Sequence, residues 1–563
     1  MQKKELFLIN EEIECQIEDI TQEGMGVSHL HEGDVLLHGE FREILSSNDE
    51  RMGFTVFISG GLPDDQVRCK IKRVRSRYIE AHLTKVLEKS EFHRNSPCPY
   101  AEFCDGCALI TLDPEEQRAW KKKMIWDNLT RIGAADRNAQ GSIPLYWTNE
   151  LGYRNKINLR MDAEGRLGYT ARGTHYISAV DACPAALPVL SDLIGKWNAL
   201  AVQNSPFWAS IFRSVRMVIF RANTQGQTMG ILITDRMDEK RKEQIFEKSR
   251  PLSMDVLCLS ENPRKGDIRL TKNITFATSK KSLPMQIHGL EFEVSPASFF
   301  QIHSKMAEKL YQHAIRFFSD LTQATVLDLY CGTGTTSLLM AQKAKLVIGV
   351  EMVSSAVEDA KKNAHRNHIH NVEFLCARAE DVVQSRISGA NAVLVDPPRA
   401  GLDARVVDAI LKSEIREVVY ISCNPSTLAR DVRRLNEGGF VLKRIEGFEM
   451  FPNTTHVETV ALLSHQEVEK TIYIEYEPKD NEIIPYKDAT YEEIKAWIKK
   501  TYGFNVTNLY IGQAKEKFGL AKRKNYNLSK KEDQVVPKCP EEKMEAIKEA
   551  FIHFKMLDGW RKK

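Results

Sequence analysis

The 563-residue chain is 42% hydrophobic and 28% charged, the balance of an ordinary soluble protein, and it is too long for one hydrophobic core, so three to five domains are expected. A net charge of +3 singles out no class of partner, and no apolar run reaches the roughly 18 residues that a membrane helix needs. The N-terminus, MQKKELFLINEEIECQ, carries acidic residues where a signal peptide would be apolar, so a cytoplasmic location without a membrane partner is expected.

Residues 1–90 read as a small all-β domain. FTVFI (Phe54–Ile58) is a β-rich run, the turn SGGLPDD follows it, and a basic alternating strand comes next. Short strands joined by Gly-rich turns suggest an OB-like β-barrel, a frequent nucleic-acid platform. Between Arg68 and Arg77 six of ten residues are basic; such a run is as often a solvated strand as an RNA-facing patch.

Residues 91–290 open with a cysteine cluster. Of eleven cysteines, Cys98, Cys104 and Cys107 fall within ten residues, and Cys183-Pro184 lies far downstream. In a reducing compartment this grouping points to metal or redox chemistry and not to disulfides. Four thiolates suit zinc or an iron–sulfur cluster, and spacing does not choose between them. The scattered Cys15, Cys69, Cys258, Cys376 and Cys539 are expected to be packing residues. A helix is predicted over 113–133, with Pro114 at its first position behind Asp113 and Gly133 at its end. Strands such as SVRMVIF and MGILIT then predict one antiparallel sheet up to about residue 290.

From 291 to 465 the pattern is βα. TVLDLY, KLVIGVE, VEFLCA, AVLVDP and EVVYISC alternate with helical stretches, and continuous apolar strands of this kind belong to a doubly wound, Rossmann-like parallel sheet. Residues 466–563 predict a small helical appendage: Thr490-x-x-Glu493 is a capping box, Gly503 ends that helix and Pro540 opens a last one. Its Lys515, Lys517, Lys522, Arg523 and Lys524 could grip phosphates or form a solvated face. The whole is a multidomain α/β protein.

Two places in the βα region carry chemistry. Gly332-x-Gly334-x-x-Ser337 follows the first strand, and Glu351 ends the next, where an acidic side chain accepts hydrogen bonds from a ribose. That pattern serves NAD and adenosylmethionine enzymes equally. The fourth strand adds Asp396 and a Pro-Pro pair followed by Arg399, where amino-group methylases carry an aromatic residue. The fifth ends at Cys423, at the carboxyl edge where ligands of such sheets bind. A lone cysteine usually packs as a small hydrophobe, but a thiolate at this place suits C5 pyrimidine methylation: addition at C6 makes C5 nucleophilic, and a base later removes the C5 proton.

At these residues the sequence resembles the RNA 5-methyluridine methyltransferase family, in particular its 23S ribosomal RNA branch. The family's DLYCG loop, DPPR box and SCNPxTLARD segment are matched by Asp328–Gly332, Asp396–Arg399 and Ser422–Asp431. HVETV (His456–Val460) resembles the closing motif and SFFQ (Ser298–Gln301) the glutamine motif. The resemblance implies Cys423 as nucleophile and Glu458 as general base. It implies Gln301, Tyr330, Gly332, Glu351 and Asp396 as contacts to S-adenosyl-L-methionine, with RNA as the partner. It also implies a [4Fe–4S] cluster on Cys98, Cys104, Cys107 and Cys183, although the family's CGGC reads Cys104-Asp105-Gly106-Cys107 here. Residues 10–85 resemble the TRAM domain, with an extra stretch around Arg42–Met52. The family fold further implies that the helix after Cys107 packs with the catalytic domain. A transfer RNA methylase is the alternative, disfavoured because its bacterial branch generally lacks both barrel and cluster; a non-catalytic RNA-binding protein is a remoter one.

Overall fold

The computed structural model describes residues 6–39, 41–132, 143–172, 174–264, 269–465, 490–518 and 539–554. The chain divides into two compact units, Met1–Lys470 and Thr471–Lys563. No described helix is long and apolar enough to cross a membrane. Gly133, Lys522, Arg523 and Lys524, named above, lie outside the described residues.

The N-terminal strands form one eight-stranded sheet. Alternate residues of Glu12–Gln16 and Gln66–Val74 point inward, and Ile13, Cys15, Val67, Cys69 and Ile71 meet Val56, Ile58 and Ile79 in one core. The added stretch after Arg42 is folded back by Arg51, which bonds Asp49 at 2.8 Å and Glu43 at 3.0 Å. Much of the basic run is neutralised in place: Arg68 pairs with Glu14 at 2.6 Å, and Arg73 and Arg75 face Glu80.

The central sheet has seven strands, and it is mixed where an antiparallel sheet was expected. Thr228–Thr234 runs parallel to Val256–Glu261 because the helix Glu239–Ser249 lies between them in sequence and returns the chain to the same end. The hairpin Leu283–Ile287 with Leu290–Val294 stands apart from this sheet, and its Met285, Phe292 and Val294 share a core with the catalytic sheet.

The catalytic sheet contains β1 (Thr325–Leu329), β2 (Leu346–Glu351), β3 (Val372–Cys376), β4 (Ala392–Val395), β5 (Glu417–Ser422), β6 (Val441–Phe448) and β7 (Glu458–Ser464). Their order is β3-β2-β1-β4-β5-β7-β6. The first five are parallel, and β7 inserts antiparallel between β5 and β6. The order reverses between β1 and β4, so the carboxyl ends of β1, β2, β4 and β5 open onto one crevice.

The helix Pro114–Ile132 belongs to this domain in space. Its Ile125 and Leu129 join Leu327, Val393 and Val418 in one core, and the short strand Leu145–Tyr146 extends the sheet beside β6. Lys121 of this helix is fully buried and bonds Glu449 at 2.8 Å.

In the second unit the helices Tyr491–Tyr502, Asn508–Lys517 and Glu541–His553 pack Ile494, Ile498, Ile511, Ile547 and Phe551 together. The capping box at Thr490 and Glu493 forms, and Gly503 caps with φ 78°. Lys515, counted above among phosphate-gripping residues, is buried with its ammonium over the Tyr491 ring, because it lies on the inner face of its helix. Of the scattered cysteines, Cys15, Cys69 and Cys258 are buried as expected; Cys376 is exposed, because it ends a strand at the open edge of the sheet.

Candidate active site

After β1 the chain turns through three left-handed residues, Tyr330 (φ 68°), Gly332 (56°) and Gly334 (82°), into the helix Thr335–Ala341. The two glycines serve different ends. A Cβ on Gly334 would lie 2.8 Å from the Phe374 ring, whereas one on Gly332 would meet nothing within 4 Å. Gly332 therefore presents bare backbone to open space, as close approach by a ligand requires. Glu351 accepts the N–H groups of Gly332 at 3.2 Å and Val353 at 2.8 Å, beside the exposed side chain of Met352. An open glycine, a strand-end carboxylate with lone pairs to spare and an exposed apolar side chain fit an adenosyl group. Ser337, standing where a dinucleotide fingerprint has glycine, donates to Asp328 at 2.5 Å, and Thr336 does so at 2.7 Å. These bonds tie the helix to β1. Burial pushes the Asp328 carboxyl up to about 6 against their pull.

Cys423 and Glu458 are brought together by strand register. β5 and β7 pair Ser422 with Thr459, so the next residue of one strand and the preceding residue of the other meet at the carboxyl edge. Thr459 Oγ1 donates to the Ser422 carbonyl at 3.1 Å. Asp396 follows β4 at the same edge. The Arg399 carbonyl accepts from Asn424 Nδ2 at 3.3 Å and Thr427 Oγ1 at 3.2 Å, which joins the loop after β4 to the loop after β5.

The electrostatics are those of a site at rest. Burial, then the neighbouring Glu458 and Asp396, push the Cys423 thiol up to about 11, and Arg399 opposes them. Glu458 is buried, not the exposed carboxylate that its sequence context alone would allow, and burial with Asp396 beside it raises its carboxyl well above the usual range. Asp396 is pushed up to about 7 by burial and Asp328. Glu458 and Asp396 stand beside one thiol with the Arg399 guanidinium opposing them, and Asp396 raises Glu458 as Asp328 raises Asp396.

Gln301 is buried, and its side chain hydrogen-bonds Tyr311, whose phenol is raised by burial and by Asp396, Glu458 and Asp328. Its backbone carbonyl accepts from Asn155 Nδ2 at 2.8 Å, which fixes the loop. Tyr330 is half-buried, and burial pushes its phenol up to about 12. Sequence reasoning passed over Tyr311, Arg399 and His456 as site residues. Arg399 Nη2 donates to His456 Nε2 at 3.2 Å, and His456 Nδ1 is buried without a partner among the described residues. The Arg of DPPR and the His of HVETV stood inside quoted motifs and were the available signal; Tyr311 left none.

The four cysteines Cys98, Cys104, Cys107 and Cys183 line one cavity of about 40 Å3, and none is in a disulfide. Burial pushes Cys107 up to about 11, with the other three thiols acting in the same direction and Arg154 against. Among the described residues no group of three or more His, Cys, Asp or Glu is arranged to hold a metal ion.

The family model of tRNA (uracil-5-)-methyltransferases matches residues 227–466, and that of the TRAM domain matches residues 7–84. An uncharacterized RNA methyltransferase of Caldanaerobacter subterraneus is 33% identical over 470 residues, covering 81% of this chain and 98% of the relative. One of Listeria monocytogenes is 31% identical with the same coverage. The tRNA (uracil-54, C5)-methyltransferase of Pyrococcus abyssi, solved with S-adenosyl-L-homocysteine, superposes with a TM-score of 0.60 at 23% identity, over 80% of this chain and all of that one.

Proposed function

Because the chain belongs to the S-adenosylmethionine-dependent RNA uracil-5-methyltransferase family and carries a TRAM domain at its N-terminus, we propose that it methylates C5 of a uridine in 23S ribosomal RNA. The observation that carries the chemistry is the β5–β7 register, which sets Cys423 against Glu458 beside Asp396.

Cys423 Sγ gives its proton to solvent, a step favoured by the Arg399 guanidinium, and bonds to uracil C6, which pushes electron density to C5. S-adenosylmethionine supplies the methyl group: the C5–CH3 bond forms as the sulfonium S–CH3 bond breaks. Glu458, ionised in the assembled complex, takes the C5 proton, the Sγ–C6 bond breaks, and the uracil double bond returns. Gly332 and Glu351 hold the adenosyl end of the donor, and Gln301, Tyr330 and Asp396 complete its pocket. The uridine leaves its stack to reach Cys423, so an irregular RNA segment is the substrate.

Cys98, Cys104, Cys107 and Cys183 would hold a [4Fe–4S] cluster in this reading, supported by four thiols around one cavity. Methyl transfer by this route needs no electron, so a cluster there would serve to tie the cysteine loop to the segment around Cys183. Anaerobically purified protein containing iron and sulfide is the expected result; stoichiometric zinc without iron would reject the cluster.

The ribosomal substrate rests on the joint presence of barrel and thiol pocket, which the resemblance associates with that branch. Transfer RNA is the second reading, favoured by the likeness to the Pyrococcus abyssi transfer RNA enzyme. Mass mapping of 5-methyluridine in ribosomal and transfer RNA, from cells with and without this protein, decides between them. Loss of the modification from neither RNA would reject both.

A further inference from the structure

Arg399, His456 and Asn424, the immediate neighbour of Cys423, line one cavity of about 550 Å3. The Arg399 guanidinium opposes the rise of both the Cys423 thiol and the Glu458 carboxyl. Its backbone is pinned, since the Arg399 carbonyl accepts from Asn424 and Thr427. Its side chain is held differently. The bond from Nη2 to His456 Nε2, at 3.2 Å, is the one hydrogen bond that the guanidinium makes among the described residues. A side chain with so many rotamers stays in one place only where something holds it.

The partner is arranged to accept. A guanidinium has donors only, so the imidazole nitrogen that faces it carries no proton, and the ring proton sits on Nδ1. Burial, then Arg399, Lys121 and Arg154, hold the His456 pKa below its ordinary value, with Glu23 opposing, so the ring is a neutral acceptor near pH 7. Nδ1 is buried and has no partner among the described residues, so the ring's own hydrogen bonding does not account for its placement. The loop that carries it is anchored by segments remote in sequence. Asn453, at φ 63°, accepts from Arg94 Nη2 at 2.6 Å and from Gln117 Nε2 at 3.2 Å. Thr455 Oγ1 donates to the Gln22 carbonyl of the barrel at 2.7 Å. The His456 N–H donates to Thr454 Oγ1 at 3.2 Å. His456 thus stands on a fixed loop, two residues before Glu458, and reaches across to the loop after β4.

We propose that His456 is a positioning residue, whose Nε2 holds the Arg399 guanidinium where its charge acts on the Cys423 sulfur and stabilises the attacking thiolate. The inference rests on the reading of Cys423 as the nucleophile of a uridine methylase.

Iodoacetate and iodoacetamide, applied separately to the full chain without RNA and followed by peptide mass mapping, read the held charge. One thiolate attacks both reagents through similar access. The ratio of the two rates therefore cancels thiolate fraction and exposure, and keeps the attraction between the anionic reagent and a nearby cation. Arg399→Gln is expected to lower the iodoacetate-to-iodoacetamide ratio at Cys423 about three- to tenfold. His456→Phe, which keeps a ring and removes the acceptor, should lower it by a similar factor. His456→Gln offers a side-chain oxygen at about the reach of Nε2 and should restore most of the ratio. The double variant Arg399→Gln/His456→Phe should show the loss of Arg399→Gln alone, since one charge cannot be lost twice. The ratio at the exposed Cys376 should keep its wild-type value throughout, which reports an intact sheet edge. A wild-type ratio in His456→Phe would overturn the proposal. Additive losses in the double variant would overturn it too, by making His456 an independent contributor. A wild-type ratio in Arg399→Gln would remove the charge on which it depends. No RNA enters these rates, so a failure of the methylation reading would appear as a wild-type chain without turnover on RNA and not as a change in them.

Discussion

Alkylation of Cys423 by iodoacetamide reads the electrostatics of the active site directly. The thiol is pushed up to about 11 by burial and by Glu458 and Asp396, against about 8.5 for an ordinary cysteine. At pH 7.5 a shift of that size lowers the thiolate fraction roughly 300-fold. A thiolate of higher pKa is also the better nucleophile, by roughly tenfold for a Brønsted slope near 0.45, so net labelling should be about 30-fold slower than for an ordinary thiol. Slow labelling alone could reflect limited access, since Cys423 is only half-buried. The pH profile separates the two causes. Access lowers the rate by one factor at every pH, whereas a raised pKa makes the rate climb about tenfold per pH unit through pH 9.5, where an ordinary thiol has levelled off. The assay is peptide mass mapping of the full chain after timed alkylation, with the exposed Cys376 as reference in the same sample. Glu458→Gln removes one of the charges that hold the thiol protonated, so its profile should move to lower pH. A plateau at or below about pH 9 in the wild type, or an unmoved profile in Glu458→Gln, would refute this account.

The two proposed catalytic residues should fail at different steps. On a denaturing gel with labelled RNA, Glu458→Gln should accumulate a slow-migrating covalent adduct, with turnover reduced about 10²–10⁴-fold, while Cys423→Ala gives neither adduct nor product; an adduct in Cys423→Ala would place the nucleophile elsewhere. The loop glycines should also separate. Gly334→Ala puts a Cβ 2.8 Å from Phe374 at φ 82° and should lower the Tm by several degrees, whereas Gly332→Ala, with open space at its Cβ, should chiefly weaken adenosylmethionine binding in calorimetry. A chain ending at Ser464, the last residue of β7, should still bind adenosylmethionine, because the described part of the second unit has its own core; loss of cofactor binding would make the appendage part of the catalytic fold.

Strong local signals were legible in the sequence. The apolar strands of the βα region, the glycine turn, the capping box at Thr490 and the helix behind Pro114 all depend on neighbours within a few residues, and each stands where its residues predicted. Features that depend on distant partners were misread or missed. The central sheet reads as antiparallel until the helix Glu239–Ser249 is seen to cross over it. The basic strand leaves a solvated strand and an RNA-facing patch equally open until Glu14 and Glu80 are found opposite Arg68, Arg73 and Arg75. Lys515 reads as a solvent cation until its helix turns it toward Tyr491.

The sequence by itself determined the five parallel strands of the βα region and, through ordered motifs, the class of chemistry, because periodicity and short spacings are local properties of a chain. Tertiary structure alone decided which groups act on one another. The β5–β7 register placed Glu458 beside Cys423, and desolvation at that edge raised the carboxyl and the thiol alike. Cys183 came to share one cavity with Cys98, Cys104 and Cys107 because chain segments remote in sequence pack together. Charge interactions and desolvation act through space over a few ångströms, and which residues share that space is settled only when the sheets close on one another.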